Sequence, residues 1–186
     1  MQLKIHTSIE EIPEADWCGW FGDDYPFLRW DFLRGLERSD CTTGSSGWQP
    51  CHLTLTDGDS TIAVVPSFLK DHSYGEYVFD WAWADAWERS GLRYYPKLVT
   101  AMPFTPASGP RLWLNPEIPD ALAMCVQAVG TFCRDKGISG WHLLFLTEED
   151  DRALANEGLH PRSTVQFHWF NRNFSDFDDF LATFSS

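Results

Sequence analysis

The stretch from Leu98 to Leu146 constrains the fold more than any other part of this 186-residue chain. Ile118, Ala121, Leu122, Cys125, Val126, Val129, Phe132 and Cys133 recur at three- and four-residue spacing, which puts these apolar side chains on one helix face. Asn115-Pro116-Glu117 opens that helix and Gly137 closes it, because proline suits a first turn and glycine accepts a left-handed C-cap. Trp141 to Leu146 then runs nearly without polar residues, as expected of a strand buried on both faces. Leu98 to Phe104 reads as a strand ahead of the helix. A strand, a crossover helix and a second strand predict a parallel pair, so the fold class is mixed α/β (α+β).

The remaining elements fit around that unit. Residues 51–56 alternate polar and apolar, Asp57-Gly58-Asp59-Ser60 turns the chain, and Thr61 to Leu69 is apolar and β-branched. This predicts an antiparallel hairpin, with Pro66 marking a bulge or strand end. Leu3 to Ile9 reads as a strand, and the region of Pro13, Trp17, Trp20 and Phe21 as a short helix. Pro26 starts a helix carrying Phe27, Trp30, Leu33 and Leu36, and Asp40 to Gly47 is a loop. Thr147 caps a helix that Gly158 stops; Ser163 to Phe170 is a further strand, and Phe177 to Phe184 a last helix running out at Ser185-Ser186.

Charge and cysteine content exclude several classes of function. Against 14 Lys plus Arg stand 27 Asp plus Glu, a net charge of -13, which repels phosphate backbones and anionic membrane surfaces. No nucleic-acid contact and no membrane insertion are expected, since no apolar run approaches the roughly 18 residues of a span. An N-terminus without an apolar core and five cysteines in no CxxC pair predict a reduced, cytoplasmic protein. Ten tryptophans can fill a core, but Trp and Tyr each need a partner for their polar atom, so several rings are expected to line a groove.

Candidate chemistry concentrates between His72 and Asp85, where titratable groups interleave with large rings: His72, Tyr74, Glu76, Asp80, Trp81, Trp83 and Asp85. Such interleaving builds polar-ligand pockets, and it equally suits a core strand whose acids bond neighbouring backbone. Glu76 and Asp80, four apart, share a face on either a helix or a strand. Burial or mutual repulsion would raise a carboxylate toward the range of a general base. Tyr94, Tyr95 and Lys97 add two phenols and an ammonium, and Thr105 to Arg111 occupies the place of a phosphate loop, although its prolines remove donors. His72 and Glu76 have the spacing of a helical metal pair without a second histidine, and no metal site is expected.

A wider set of residues resembles one family. Pro66-Ser67-Phe68-Leu69-Lys70, His72 through Trp81, Tyr94-Tyr95-Pro96-Lys97-Leu98, Pro103-Phe104-Thr105-Pro106 with Gly109-Pro110-Arg111, Phe167-His168-Trp169 and Phe177-Asp178-Asp179-Phe180-Leu181 are similar to the FemAB-like bacterial proteins. These are described as peptidoglycan biosynthesis or recognition proteins within the GNAT N-acyltransferase superfamily. The resemblance implies a GNAT-like mixed central sheet with a hairpin, a crossover helix and flanking helices. It also implies that residues 1–186 form one domain, the first lobe of a two-lobe protein cut at Ser186. Trp87 stands where a tyrosine is expected and Asn173-Phe174 where Gly-Tyr is, and the acetyl-CoA loop of ordinary GNAT enzymes is missing.

The function so implied is N-acyl- or aminoacyl-transfer onto a small molecule or peptidoglycan precursor. Acyl-CoA or aminoacyl-tRNA would be the donor in a longer protein, and a second GNAT-like lobe or a homodimer mate the partner. Glu76, Asp80 and Tyr95 are the expected catalytic residues. His72, Tyr74, Trp81, Trp83, Asp85, Tyr94, Lys97, Thr105 and Arg111 are the expected substrate contacts, with Lys97 and Arg111 holding an anionic part. The competing reading is a non-catalytic recognition or scaffold module, in which aromatic faces stack on sugar rings.

Overall fold

The computed structural model describes residues 1–163, 165 and 167–184. In chain order it contains β1 (Gln2–His6), α1 (Glu14–Phe21), α2 (Trp30–Arg38), β2 (Gln49–Pro50), β3 (His52–Asp57), β4 (Ser60–Val65), β5 (Phe68–Lys70) and α3 (Trp81–Arg89). Then follow β6 (Lys97–Thr100), β7 (Trp113–Leu114), α4 (Ala121–Lys136), β8 (Trp141–Leu143), α5 (Glu148–Asn156) and α6 (Phe177–Leu181).

The hairpin is β3 and β4, antiparallel from Leu53 opposite Val65 to Asp57 opposite Ser60. The expected break at Pro66 is where one sheet becomes two. Proline cannot donate to a ladder, so hydrogen bonding stops after Val65 and resumes at Phe68, with Cys51 N–H bonding Ser67 O at 2.8 Å between them. The first sheet has the order β1-β3-β4-β7 and the second β2-β5-β6-β8. The mixed α/β architecture is as expected, but its sheet is divided rather than single. β6 and β8 are parallel, with Leu98 opposite Trp141, and α4 is the crossover between them.

The two faces of the first sheet bury different sets, with a β-bulge opposite Leu55 and Thr56 placing Ile62 on the same face as Ala63 and Val65. Leu53, Leu55, Ile62 and Val65 meet Ala121, Cys125, Val129 and Cys133 of α4. On the other face Val64 joins Ile9, Trp17, Leu28, Leu33 and Met102 beneath α1 and α2. The indoles here have partners: Trp17 donates to Leu28 O at 2.6 Å and Trp30 to Ile12 O at 3.0 Å.

Several boundaries shift for local reasons. Pro26–Leu28 is a single 3-10 turn, and α2 begins only at Trp30. α4 begins at Ala121, not near Pro116, because Asn115 is engaged elsewhere: its side chain donates to Thr61 O and accepts from Glu117 N–H. Gly137 ends α4 in the left-handed region, as expected. β6 stops at Thr100, ahead of Pro103 and of Phe104 at φ 55, and β8 stops at Leu143, ahead of Phe145 at φ 56. Of the strand expected over 163–170, residues 164 and 166 lie outside the described residues, as do Ser185 and Ser186. Residues 163, 165 and 167–170 are in no strand, and none of the described residues from 160 onward is buried. The accessible surface of 11352 Å² accordingly exceeds the roughly 9,100 Å² expected of a compact chain of 21.4 kDa.

Candidate functional site

β5 and β6 pair in a register that sets Lys70 directly opposite Lys97. Two like charges opposed across a ladder repel, and both lysines are almost completely buried, at 1% and 0% exposure. Such an arrangement persists only with compensating groups, and the segment from His72 to Asp80 supplies them.

Gly75 at φ 79 and Tyr77 at φ 58 bend this segment so that Glu76 turns inward. A side chain on Gly75 would lie 2.7 Å from the Phe104 ring, so the close approach requires glycine. Asp80 holds the N-cap position of α3 but makes no capping bond; its carboxylate goes to Lys97 instead. Lys97 Nζ donates to Glu76 Oε2 at 2.8 Å, Asp80 Oδ2 at 2.7 Å and Ser73 Oγ at 2.8 Å, which uses all three donors of the ammonium. Tyr94 Oη donates to Asp80 Oδ2 at 2.7 Å, and Tyr95 Oη pairs with Ser73 Oγ at 2.8 Å. Lys70 Nζ donates to the carbonyls of Gly47 and Tyr74 and lies 3.8 Å from the Trp48 ring centroid.

The two carboxylates differ in proton affinity. Burial pushes the Glu76 carboxyl above the usual range, against the pull of Lys97. Burial acts the same way on Asp80, but hydrogen bonds from Lys97 and Tyr94 outweigh it and hold Asp80 below its ordinary value. Burial likewise lowers Lys70 to about 8 and raises the Tyr94 and Tyr95 phenols. Glu76 Oε1 and Asp80 Oδ1 are both buried and have no hydrogen-bond partner. Two unsatisfied acceptors beside a fully bonded ammonium make this a place for a donor group, not for an anion.

Asp80 also forms part of the floor of a groove of about 970 Å³. One wall is β8 with the residues that follow it, the other residues 158–163, and Glu148 and Asp151 of α5 lie along it. His142 lines the same groove, its imidazole held near 4 by burial and then by Lys97, and hence neutral at ordinary pH.

The expected site residues separate into two groups. Glu76, Asp80, Tyr94, Tyr95 and Lys97 converge. Asp80 runs against the expected rise in proton affinity, and Lys97 has no donor left for an anionic substrate. Arg111 is fully buried and bonds the carbonyls of Leu144, Pro110 and Ala107 and the Tyr25 hydroxyl, so it ties a loop to β8 and does not face a ligand. Thr105 bonds Pro103 O within its own turn. His72 accepts from Tyr74 N–H and packs against Gly47. Tyr74, Trp81, Trp83 and Asp85 lie outside, exposed, with Tyr74 against Trp81 and Arg162 over Trp83.

Ser73, Lys70 and His142 belong to the site or its surroundings but no catalytic motif marks them, Ser73 and Lys70 lying within the stretches that resemble the FemAB-like proteins. The one available signal is positional: Lys70 ends a strand otherwise apolar, where a buried ammonium needs a partner.

Residues 8–186 match the FemAB-like family, described as peptidoglycan biosynthesis/recognition proteins. The chain belongs to the FemAB-like family. The matched stretch contains the whole Lys97 cluster and both walls of the groove. No match emerged among curated proteins. Among solved structures, the aminoglycoside antibiotic 6'-N-acetyltransferase AAC(6')-IG from Acinetobacter haemolyticus is similar at 10% identity and a TM-score of 0.48, over 93% of this chain and 99% of that one. Among the described residues of this FemAB-like chain, no helix is long and apolar enough to cross a membrane, and no cluster of three or more potential metal ligands occurs.

Proposed function

We propose that this FemAB-like chain contributes the acceptor side of an N-acyl- or aminoacyl-transferase working on a peptidoglycan precursor. The reading rests on one observation: two buried, unpartnered carboxylate oxygens, with Asp80 at the floor of a groove large enough for a small-molecule substrate. An amine entering the groove donates to Asp80 Oδ1 and is oriented there. Glu76, kept at high proton affinity by burial, takes the proton released as the nitrogen attacks the donor's carbonyl carbon. Tyr95 and Ser73 position Lys97, and Lys97 sets the separation of the two carboxylates. A donor's anionic part finds no free cation in the Lys97 cluster, so the acyl donor is held by other groups.

Label transfer to a UDP-linked muramyl pentapeptide, with acetyl-CoA and aminoacyl-tRNA as donors in separate reactions, tests the proposal. Glu76→Gln and Asp80→Asn are each expected to lower turnover by about tenfold or more with unchanged circular dichroism. Full activity in both variants sinks the assignment.

A second reading is favoured by the exposed rings of Tyr74, Phe79, Trp81 and Trp83, which suit stacking on sugar faces in a recognition module. Muropeptide binding without affinity for either donor, and without transfer, would select it.

A further inference from the structure

The chain beyond residue 160 is rich in large rings, although none of its described residues is buried. Phe180 of α6 packs on Trp169, Phe174, Phe177 and Phe184, with ring centroids 5.9, 5.5, 5.8 and 5.0 Å away, so the helix is held by its own neighbours in sequence. Phe177, Leu181 and Phe184 are left 68%, 47% and 63% exposed. Phe184 N–H bonds Leu181 O, which carries the helical path one turn past α6. The three side chains therefore stand at i, i+4 and i+7, the spacing with which an amphipathic helix presents anchors to a groove, while Asp178 and Asp179 fall beside and behind that stripe.

A groove of matching character lies on the first sheet. It measures about 410 Å³ and runs between β1 and α4, with Met1, Leu3 and Ile5 on one side and Met124, Ala128 and Phe132 on the other. Lys136 stands among the lining residues, where it suits the carboxylate of Asp178 at the edge of the stripe. The chain's own α6 is built onto Trp169 and Phe174 and does not line this groove. The accessible surface exceeds that of a compact chain of this mass by roughly 2,200 Å². Two chains that covered this surplus on each other would bury roughly 4,400 Å², within the range of about 2,000–5,000 Å² for obligate homodimers.

We propose that two copies of this chain exchange their C-terminal segments, the α6 stripe of each seated in the β1/α4 groove of the other. The described residues of 160–176 are in no helix or strand, and extended they would reach roughly 55 Å, more than the roughly 40 Å breadth of a domain of this length. Phe177, Leu181 and Phe184 supply the apolar contact, and the Asp178 and Lys136 pair fixes its direction. The segment leaves from Ser163, in the wall of the groove beside β8, so the exchange also ties down that wall. It needs neither Glu76 nor Asp80 and stands apart from the transferase reading.

Sedimentation equilibrium of the full chain measures the association. A dimer with a dissociation constant in the micromolar range is expected. Raising NaCl from about 0.05 to 0.5 M is expected to tighten it severalfold, because two chains of net charge -13 repel each other less when screened. Leu181→Asp spoils the stripe and Ala128→Trp fills the groove, and each is expected to weaken association by about a hundredfold or more with unchanged circular dichroism. An equimolar mixture of the two variants is expected to recover a heterodimer, weaker than the wild-type dimer, through the one seat that remains intact. Wild-type association of Ala128→Trp would mean that the two aromatic segments pack on each other instead, and would overturn the proposal. So would a monomeric wild type at about 0.2 mM, or the absence of a heterodimer in the mixture.

Discussion

The two sheets meet end to end at Pro66 and Ser67, and both bury apolar side chains, Phe68, Leu98 and Val99 among those of the second, but the second adds a buried lysine–carboxylate cluster. The first is closed by aliphatic and thiol groups of α4 on one face and by Ile9, Trp17 and Leu33 on the other. The second sets two lysines opposite each other and surrounds them with Glu76, Asp80, Ser73, Tyr94 and the Trp48 ring. Area burial is enough to explain the first sheet. The second combines such burial with charge neutralisation, which stabilises less than an apolar core of equal volume would.

Removing the central charge gives the largest expected effect. Lys97→Ala leaves Glu76 and Asp80 facing each other without the ammonium that bonds both, and unfolding free energy is expected to fall by about 3–5 kcal/mol in urea titrations. Leu53→Ala in the first sheet is expected to lose about 2–5 kcal/mol through its cavity, with no change in how stability depends on pH. Equal and pH-independent losses for the two variants would erase the distinction between the sheets.

Acid separates the sheets less sharply, because each carries one low-affinity histidine. His6 on β1 and His142 on β8 are both held near 4, chiefly by burial, against an ordinary value of 6.5. A depressed histidine stabilises the fold fully above 6.5, and that contribution is lost as pH falls from 6.5 toward 4. Each is worth about 3 kcal/mol. Denaturation midpoints across this window should drop for the wild type and drop less for His6→Asn and for His142→Asn. Glu76 has the opposite sign: its carboxyl is raised, so its protonation on acidification favours the fold, and Glu76→Gln should remove that gain.

Smaller effects follow at the rim of the second sheet. Tyr94→Phe removes a bond to a buried carboxylate and is expected to cost about 1.5–3 kcal/mol while raising the Asp80 proton affinity, visible in the carboxyl resonance by NMR. Arg162→Ala loses the contact with Trp83 and the hydrogen bond to Tyr94, about 1 kcal/mol in the same urea assay.

What the sequence made legible follows the same division. The hairpin, the crossover helix, the parallel partner strand and the Thr147-capped helix all come from periodicity and capping, which act locally. The second sheet depends on contacts between residues far apart in sequence, such as Lys97 with Glu76, and no local pattern announces them. α3 was hidden because Trp81, Ala82, Trp83 and Ala84 alternate like a strand, while the helix they form has no buried residue to give it a helical apolar stripe. Glu76 and Asp80 were recognisable as a pair from their spacing. Their unequal proton affinities were not, because those depend on which oxygen Lys97 and Tyr94 reach. Arg111 misled because an arginine after Gly109-Pro110 has the composition of an anion loop, whereas its guanidinium bonds backbone carbonyls.

The interruption at Pro66 and Ser67 has a consequence for motion. Between the two ladders the seam is bridged by the Cys51–Ser67 bond and by Ser67 N–H donating to His52 Nδ1 at 3.3 Å, so one sheet can open its amides without unzipping the other. Deuterium uptake should then fall into two kinetic classes. Residues 53–57 and 61–65 would exchange last, with the whole domain, while residues 68–70, 97–100 and 141–143 would exchange earlier through a local opening that exposes the buried lysines.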